Sequence, residues 1–196
     1  HQFPRPLAPL FINGRPFILP HQPVPIPPSL PALAAQPRPP NKDLLSKWDI
    51  RNKKVFLYVG THAFYHGLDV IIETASILKK NEEILFLMVG DGPERTRIIK
   101  KAESLKLNNI KFKQSPYSEM PELYSIAYAS IACLKNINVA NQMRLSKIFP
   151  SLSCEVPVIY SGKGEAATII SSNNCGITVE PENPAELAKA ILSISE

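Results

Sequence analysis

The 196-residue sequence lacks the long apolar runs by which membrane-spanning and secreted proteins are identified. No run approaches the roughly 18 residues that a membrane-spanning helix needs, and the first residues do not show the basic, apolar and small-residue order of a signal peptide. We therefore expect a cytoplasmic protein that associates at most peripherally with the inner face of a membrane.

Cysteine is scarce as well. The sequence has three, Cys133, Cys154 and Cys175, and each lies in or beside an apolar run. An odd number of widely separated cysteines favours buried free thiols in a reducing compartment over disulfides. No two of them have the close spacing of a zinc site, and apolar surroundings argue against a catalytic thiol. We expect neither a metal nor a cofactor.

Acidic residues are absent from residues 1–40, which hold thirteen of the twenty prolines and three arginines. Because so many prolines remove amide donors and fix φ, we expect this segment to be disordered or extended, without sheet pairing. It could be a proline-rich ligand for an aromatic groove, or a linker, a leader or non-native sequence. The lack of acids and of an initiating Met favours the second group. Residues 41–196 form the predicted domain.

That domain carries 19 Lys and Arg against 17 Asp and Glu, a net charge of +2. A nearly neutral domain has no clustered basic face for binding a phosphate backbone. The five lysines within residues 100–113 are interrupted by acids such as Glu103, which is typical of a solvated helix face. We expect no nucleic-acid partner.

From residue 41 onward, short apolar runs alternate with longer stretches of helical period, which is typical of βα units and a parallel sheet. Six strands are predicted, over residues 55–60, 84–89, 109–112, 130–134, 156–160 and 176–179. Six helices are predicted over residues 68–80, 93–105, 118–128, 145–153, 164–171 and 184–193. The fold class is therefore α/β, a doubly wound, six-stranded parallel sheet with helices on both faces. Such sheets bind ligands beyond the carboxyl ends of the strands, near the point where strand order reverses.

Three glycine-containing turns follow predicted strands: "VGTHAFYHGLD" at 59–69, "VGDGPE" at 89–94 and "SGKGEAA" at 161–167. Glycine lets a backbone approach a ligand and helix starts offer amides to phosphate, although any α/β protein needs tight turns here. The first turn departs from the dinucleotide fingerprint G-x-G-x-x-G, which argues against a redox cofactor. Its His62 and His66 are candidate ligand contacts, with capping or packing as the alternative role.

The segment "NVANQMRLSKIF", residues 138–149, contains the favoured phosphate site. It follows a predicted strand and enters the helix predicted from residue 145. Ser146 could then cap that helix, and Lys147 would place a cation where phosphates meet the helix end. The alternative is a solvated lysine at the beginning of a helix.

Taken together and in order, the motifs resemble the C-terminal domain of retaining glycosyltransferases of the GT-B fold, family 4. The resemblance covers about residues 55–191 and includes "FLYVGTHAFYHGLDVIIETASIL", "LMVGDGPERTRI", "LSKIF", "VPVIYSGKGEAATII" and "NCGITVEPENPAELAKAI". The pieces "GTH", "LSKIF" and "GEAA" are most similar to the branch named for fucosamine transferases of bacterial polysaccharide biosynthesis.

The resemblance implies transfer of a sugar from a nucleotide-diphosphate sugar to a glycan or lipid-linked acceptor, with the anomeric configuration retained. This chain would be the donor-binding, Rossmann-like half only, inactive without a missing N-terminal acceptor domain through which a membrane or lipid-linked acceptor would be reached. The donor site that it implies, together with the candidates above, comprises Gly60, Thr61, His62, His66, Gly67, Gly90, Gln114, Ser115, Gln142, Ser146 and Lys147.

Four positions depart from the family pattern. Its phosphate-binding Arg and Lys are replaced by Thr61 and His66, and its two glutamates, eight residues apart, by Gln142 and Pro150. Lys147 and His66 are the residues that we expect to supply the phosphate charge instead. Two other functions remain compatible with this architecture: a non-catalytic nucleotide-binding or interaction module derived from the domain, and half of a nucleotide-sugar epimerase.

Overall fold

A computed structural model describes residues 11–12, 15–16, 37–143 and 145–195, with the backbone alone at 11, 12, 15, 16 and 141. Near the N-terminus, β1 (Phe11–Ile12) and β2 (Arg15–Pro16) pair antiparallel. The expectation that prolines exclude sheet pairing from residues 1–40 is therefore wrong at this point. A ladder this short has only edge strands, where a proline is tolerated. Residues 37–40 are irregular, and the rest of that segment lies outside the described residues.

The predicted doubly wound sheet is confirmed. Its strands are β3 (Lys54–Val59), β4 (Ile84–Val89), β5 (Ile110–Lys113), β6 (Ala129–Cys133), β7 (Val158–Ser161) and β8 (Gly176–Val179). All neighbours are parallel, in the order β5-β4-β3-β6-β7-β8. Strand order reverses between β3 and β6, so the loops that follow these two strands flank the topological switch point.

Helices cover both faces of the sheet. They are α1 (Lys42–Lys47), α2 (Asp69–Ile77), α3 (Arg95–Ser104), α4 (Met120–Ser125), α5 (Asn138–Asn141), α6 (Ile148–Ser153), α7 (Glu165–Ser172) and α8 (Pro184–Ser193). Six of them match predicted helices, whereas α1 and α5 were not predicted. α1 is short and depends on its cap, in which Asn41 Oδ1 accepts from the Leu44 amide at 2.9 Å.

The four central strands, β3, β4, β6 and β7, are buried on both faces, as their largely apolar sequences require, whereas the edge strands β5 and β8 are only partly buried. On one face Phe56 of β3 packs in a cluster with Ile191 of α8. On the other face Leu57 packs with Trp48, which follows α1. A third cluster around β7 includes Phe149 of α6. These clusters hold the strand ends, and the turns after them, in fixed positions.

Two boundaries differ from the prediction in ways that affect the carboxyl edge of the sheet. β7 begins at Val158 rather than at 156, since Pro157 has no amide to donate. α6 begins at Ile148 rather than at 145, which leaves Ser146 and Lys147 in a turn before the helix. The predicted cap is also wrong, because Ser146 is exposed and α6 has no side-chain cap.

The glycine turns at residues 59–69, 89–94 and 161–167 follow β3, β4 and β7, and are named the β3, β4 and β7 turns below. All three lie at the carboxyl edge, as predicted.

Candidate functional site

The β3 and β4 turns meet backbone to backbone. A Cβ on Gly90 would lie 2.0 Å from the Gly60 carbonyl oxygen, and one on Gly92 would lie 2.6 Å from that of His62. The His62 amide also donates to the carbonyl of Asp91 at 2.7 Å. Glycine is therefore needed at 90 and 92 for the turns to pack, independently of any ligand.

A lysine from the other half of the sheet reaches the β3 turn. Lys147 Nζ lies 3.0 Å from Tyr58 Oη, 3.3 Å from His66 Nε2 and 4.5 Å from the centroid of the Tyr58 ring. A Cβ on Gly60 would lie 3.1 Å from Nζ, so the glycine keeps the space beside the ammonium open. The fold thus brings together three of the predicted residues, Gly60, His66 and Lys147.

Tyr58 connects this lysine to the turn. Its side chain is fully buried, and its hydroxyl donates to the Thr61 carbonyl at 2.8 Å, which leaves the oxygen to accept from Lys147. Burial raises the pKa of Tyr58 well above its usual value, so the phenol stays neutral. Tyr58 was not among the site residues predicted from the sequence. The available signal was its place in a continuous buried strand, because a buried tyrosine hydroxyl needs a polar partner.

Both histidines of the β3 turn are buried beside Tyr58. Their ring centroids lie 5.8 Å (His62) and 6.2 Å (His66) from that of Tyr58. Both ring nitrogens of His66 lie near Lys147 Nζ, Nε2 at 3.3 Å and Nδ1 at 3.5 Å, so a neutral ring offers the ammonium an acceptor. Within the described part of the chain, neither ring nitrogen of His62 has a hydrogen-bond partner.

The imidazoles are held neutral. Burial, followed by the charge of Lys147, lowers the pKa of His66 to about 4. Burial, followed by the charge of Arg95, lowers the pKa of His62 to about 4, against a smaller opposing effect of Asp91. At neutral pH the charge of this cluster is therefore carried by Lys147.

Lys147 is a cation in need of a counter-ion. Burial lowers its pKa to about 8. No carboxylate of the described residues forms a salt bridge with it. Its ammonium has three hydrogens, of which Tyr58 and His66 can accept two. A desolvated, unpaired charge is costly, so an anion that reaches the third hydrogen would be stabilised. The arrangement is chemically suited to bind phosphate.

Two other predicted residues are occupied by protein contacts. Gly67 ends the 3₁₀ turn Phe64–His66 with φ +60, and a Cβ there would lie 3.0 Å from Lys135 Cγ. Gln114 Nε2 donates to Asp91 Oδ2 at 2.7 Å. The amide oxygen of Gln114 therefore faces away from Asp91.

The remaining predicted residues lie outside the Lys147 cluster. Ser115 Oγ donates to the Glu119 carboxylate. The side chains of Thr61, Gln142 and Ser146 are exposed. Of these, Thr61 touches the cluster through its backbone carbonyl alone.

A separate cavity of about 520 Å³ opens beside the β7 turn. It is lined by groups of both charges, including Lys163, Glu180 and Glu186. Lys163 pairs with Glu180 at 3.2 Å. This cavity has no buried unpaired cation among its lining residues.

Large apolar side chains are exposed at the carboxyl edge. Phe64 follows β3 and is 61% exposed; Ile137 and Val139 follow β6 and are 37% and 72% exposed. Lys135 Nζ lies 3.6 Å from the centre of the Phe64 ring. Apolar groups next to the candidate site are typical of a surface that another domain or molecule covers.

The three cysteines are buried free thiols, as predicted. Burial raises the pKa of Cys133 to about 12 and that of Cys175 to about 11. Across the described residues, His, Cys, Asp and Glu side chains form no group of three that could hold a metal ion. The described helices include none that is long and apolar enough to cross a membrane.

Solved structures support the fold. A glycosyltransferase from Rickettsia africae ESF-5 superposes with a TM-score of 0.66 at 24% identity, over 78% of this chain and 40% of that one. HepE from Anabaena, solved with UDP and glucose, gives 0.68 at 19% identity over 79% and 42%. Sucrose-phosphate synthase from Thermosynechococcus elongatus gives 0.63 at 22% identity over 80% and 40%. The Rossmann-like half of a GT-B fold, implied by the sequence, is thereby confirmed.

Sequence relatives are consistent with that fold. WcaI of Escherichia coli (strain K12), named for a glycosyl transferase role in colanic acid biosynthesis, is 36% identical over 73 residues, which are 37% of this chain and 18% of WcaI. The chain spans less than half the length of WcaI and of each of the three solved proteins. The family model described as "Glycosyl transferases group 1" matches residues 42–196, and the chain belongs to that family.

Proposed function

We propose that this chain is the donor-binding half of a retaining, family 4 glycosyltransferase. It would take a sugar from a nucleoside-diphosphate sugar, and the full enzyme would pass that sugar to a glycan or a lipid-linked acceptor. The observation that carries the proposal is the Lys147 ammonium, held beside Gly60 without a carboxylate partner among the described residues. HepE, a structural neighbour, has been solved with UDP and with UDP-glucose, so UDP is the first nucleotide to test.

The proposed role of Lys147 is to neutralise the diphosphate. In a retaining transfer the bond from the anomeric carbon to the diphosphate oxygen breaks, and the diphosphate leaves with the electron pair. The acceptor hydroxyl adds to the same face of the sugar, and its proton goes to the departing phosphate. A preorganised ammonium stabilises the charge that develops on the leaving oxygens. Neither a metal nor a cofactor takes part in this proposal.

The acceptor is assigned to a partner domain. Relatives are more than twice as long as the part that this chain spans. In this proposal an N-terminal domain covers the apolar edge formed by Phe64, Ile137 and Val139, and this chain alone is inactive. A cytoplasmic enzyme at the inner face of a membrane would suit a lipid-linked acceptor. Transfer of fucosamine is proposed as the narrower activity on the strength of the "GTH", "LSKIF" and "GEAA" pieces.

A second candidate function is a non-catalytic nucleotide-binding module. It is favoured by Gln142, which is exposed, and Pro150, which lies within α6, at the positions where the family pattern has glutamates. Nucleotide binding does not separate the two functions. Sugar transfer by the chain combined with an N-terminal domain would support the enzyme, and binding without transfer would support the module.

The test is titration calorimetry of the 196-residue chain with UDP, GDP and ADP. We expect one diphosphate to bind. In NMR spectra of the same titration, we expect it to shift the amide signals of Gly60, His66, Ser146 and Lys147. Lys147→Ala should weaken that binding by roughly 1.5 to 3 kcal/mol, the contribution of a charge-assisted hydrogen bond. Unchanged affinity in a folded Lys147→Ala variant would show that the phosphate site is assigned wrongly. A folded wild-type chain that binds none of the three would count against the donor site itself.

A further inference from the structure

The ammonium of Lys147 is oriented by two acceptors of different kinds. Tyr58 Oη lies 3.0 Å from Nζ and His66 Nε2 lies 3.3 Å from it. The other ring nitrogen of His66, Nδ1, lies 3.5 Å from Nζ, so the ring faces the ammonium with both nitrogens. Since the Tyr58 hydroxyl donates to the Thr61 carbonyl, its lone pair is directed away from that carbonyl.

Tyr58 is the more specific of the two partners. It contacts the lysine in two ways, with its oxygen at 3.0 Å and with its ring, whose centroid is 4.5 Å from Nζ. It also helps to place the Thr61 carbonyl, three residues after it in the β3 turn, through the hydrogen bond from its hydroxyl. One phenol therefore fixes the cation and the backbone beside it relative to each other.

We propose that Tyr58 is a positioning residue for donor binding: its hydroxyl holds the Lys147 ammonium under the β3 turn so that the remaining N–H is directed at the diphosphate. This inference rests on the proposed function, because it takes a nucleoside diphosphate as the ligand of Lys147. Tyr58 itself is not expected to touch the diphosphate, since its side chain is fully buried.

Other groups around Lys147 do not replace the phenol. The charged or titratable neighbours that face this cluster are His62 and Tyr65 from the β3 turn, Asp91 from the β4 turn, Arg95 from helix α3 and Cys133 from β6. None of them is within hydrogen-bond distance of Nζ in the described structure. Removal of the Tyr58 hydroxyl thus leaves His66 as the acceptor.

The chain offers a matched control. Tyr160 is also fully buried, and its hydroxyl donates to the carbonyl three residues further on, that of Lys163, at 2.9 Å. Tyr160→Phe removes the same type of hydrogen bond from the β7 turn. Tyr58→Phe keeps the ring, and with it the packing and the cation–π contact, while it removes the acceptor for Lys147.

The experiment measures UDP affinity of the whole chain between pH 6 and 9 for wild type, Tyr58→Phe and Tyr160→Phe. We expect Tyr58→Phe to bind UDP about tenfold more weakly at pH 7.5 and Tyr160→Phe to stay within about twofold of wild type. Wild-type affinity should fall as pH rises through about 8, because Lys147 loses its proton there. In Tyr58→Phe the fall should start at lower pH, since loss of an acceptor disfavours the charged amine.

A second measurement separates this inference from the proposed function. The side-chain NMR titration of Lys147 without ligand should show a lower pKa in Tyr58→Phe than in wild type and no change in Tyr160→Phe. If wild type binds UDP and Tyr58→Phe matches it in affinity and pH profile, the positioning role is wrong and the donor site stands. If wild type binds no diphosphate, the donor site fails and the positioning role for a diphosphate fails with it, whatever the lysine titration shows.

Discussion

Near the end of β3 and of β7, a buried tyrosine donates its hydroxyl proton to a carbonyl of the following turn, three residues further along the chain. Tyr58 does so to Thr61 at 2.8 Å and Tyr160 to Lys163 at 2.9 Å. Each turn also has a glycine two residues after the tyrosine. What differs is the lysine. Lys147 comes from a distant segment and is partly buried against Tyr58, whereas Lys163 belongs to the β7 turn and is exposed.

The difference shows that a glycine turn at this edge of the sheet is not by itself a site. The β7 turn uses its glycine for packing, since a Cβ on Gly162 would lie 2.4 Å from Tyr160 Oη. The β3 turn uses Gly60 to leave room for a cation, since a Cβ there would lie 3.1 Å from Lys147 Nζ. The candidate phosphate-binding group of the β3 turn is thus supplied by Lys147, which belongs to a distant segment of the chain.

Replacing Gly162 or Gly60 with alanine should give the largest effects. The first variant should lose mainly stability and the second should also lose UDP binding. Gly162→Ala should lower the free energy of unfolding by about 1 to 3 kcal/mol through overpacking against Tyr160, with UDP affinity of the folded molecules unchanged. Gly60→Ala should weaken UDP binding because its Cβ covers the ammonium, and it should also cost stability because Gly60 has φ +145.

Denaturant unfolding and calorimetry of both glycine variants check this. Weak binding by Gly162→Ala, or wild-type affinity in Gly60→Ala, would show that the two turns do not divide packing and binding in this way.

Acid should affect the β3 turn before the β7 turn. The pKa of both His62 and His66 is about 4 in the folded chain, below the usual 6.5, so the unfolded chain binds more protons between these values. The stabilising contribution of the two neutral imidazoles should therefore be complete above pH 6.5 and be lost as the pH drops towards 4, with a loss of about 2 kcal/mol for each imidazole by pH 5.

The acid effect is measured by unfolding at pH 7 and pH 5 together with amide exchange. We expect amides of the β3 turn to lose protection first. The variant His62→Gln, His66→Gln should have a flatter pH dependence. An unchanged slope in that double variant would assign the acid sensitivity to other groups.

Removal of the exposed lysine should have the smallest effect. Lys163 pairs with Glu180 at 3.2 Å, and both side chains are about half exposed or more. Such pairs contribute 0 to about 1 kcal/mol. Lys163→Ala should therefore change the free energy of unfolding by less than about 1 kcal/mol and leave UDP affinity within about twofold of wild type, in contrast to Lys147→Ala. A large loss of binding in Lys163→Ala would place phosphate recognition at the cavity beside the β7 turn.

Much of the fold could be predicted because each strand is a short apolar run between turn signals. β4 and β8 match the predicted bounds, residues 84–89 and 176–179. Errors arose where tertiary contacts override local pattern. α6 was predicted to begin three residues early, yet Lys147 is held by Tyr58 and its segment remains a turn. α5 has four residues, too few to show a helical period.

The candidate site was predictable in part. His62, His66 and Lys147 could be selected because their residue types suit phosphate and because they lie in loops after strands. That Tyr58 would join His66 to Lys147 could not, since the atoms meet across 81 and 89 residues of sequence and the contact depends on how the two halves of the sheet pair. Gly90 shows the opposite case. Its place in a glycine turn predicts a ligand contact, but in the structure it packs against the Gly60 backbone.

The pairing of β3 with β6 has a consequence for how the site is assembled. These strands are joined in register only at Phe56 with Ala129 and Leu57 with Ser130, and this short ladder connects the two halves of the sheet. Tyr58 lies on one half and Lys147 belongs to the other. The site therefore requires both halves of the sheet to be docked. A nucleotide that contacts both halves would stabilise their docked arrangement by binding to that state alone.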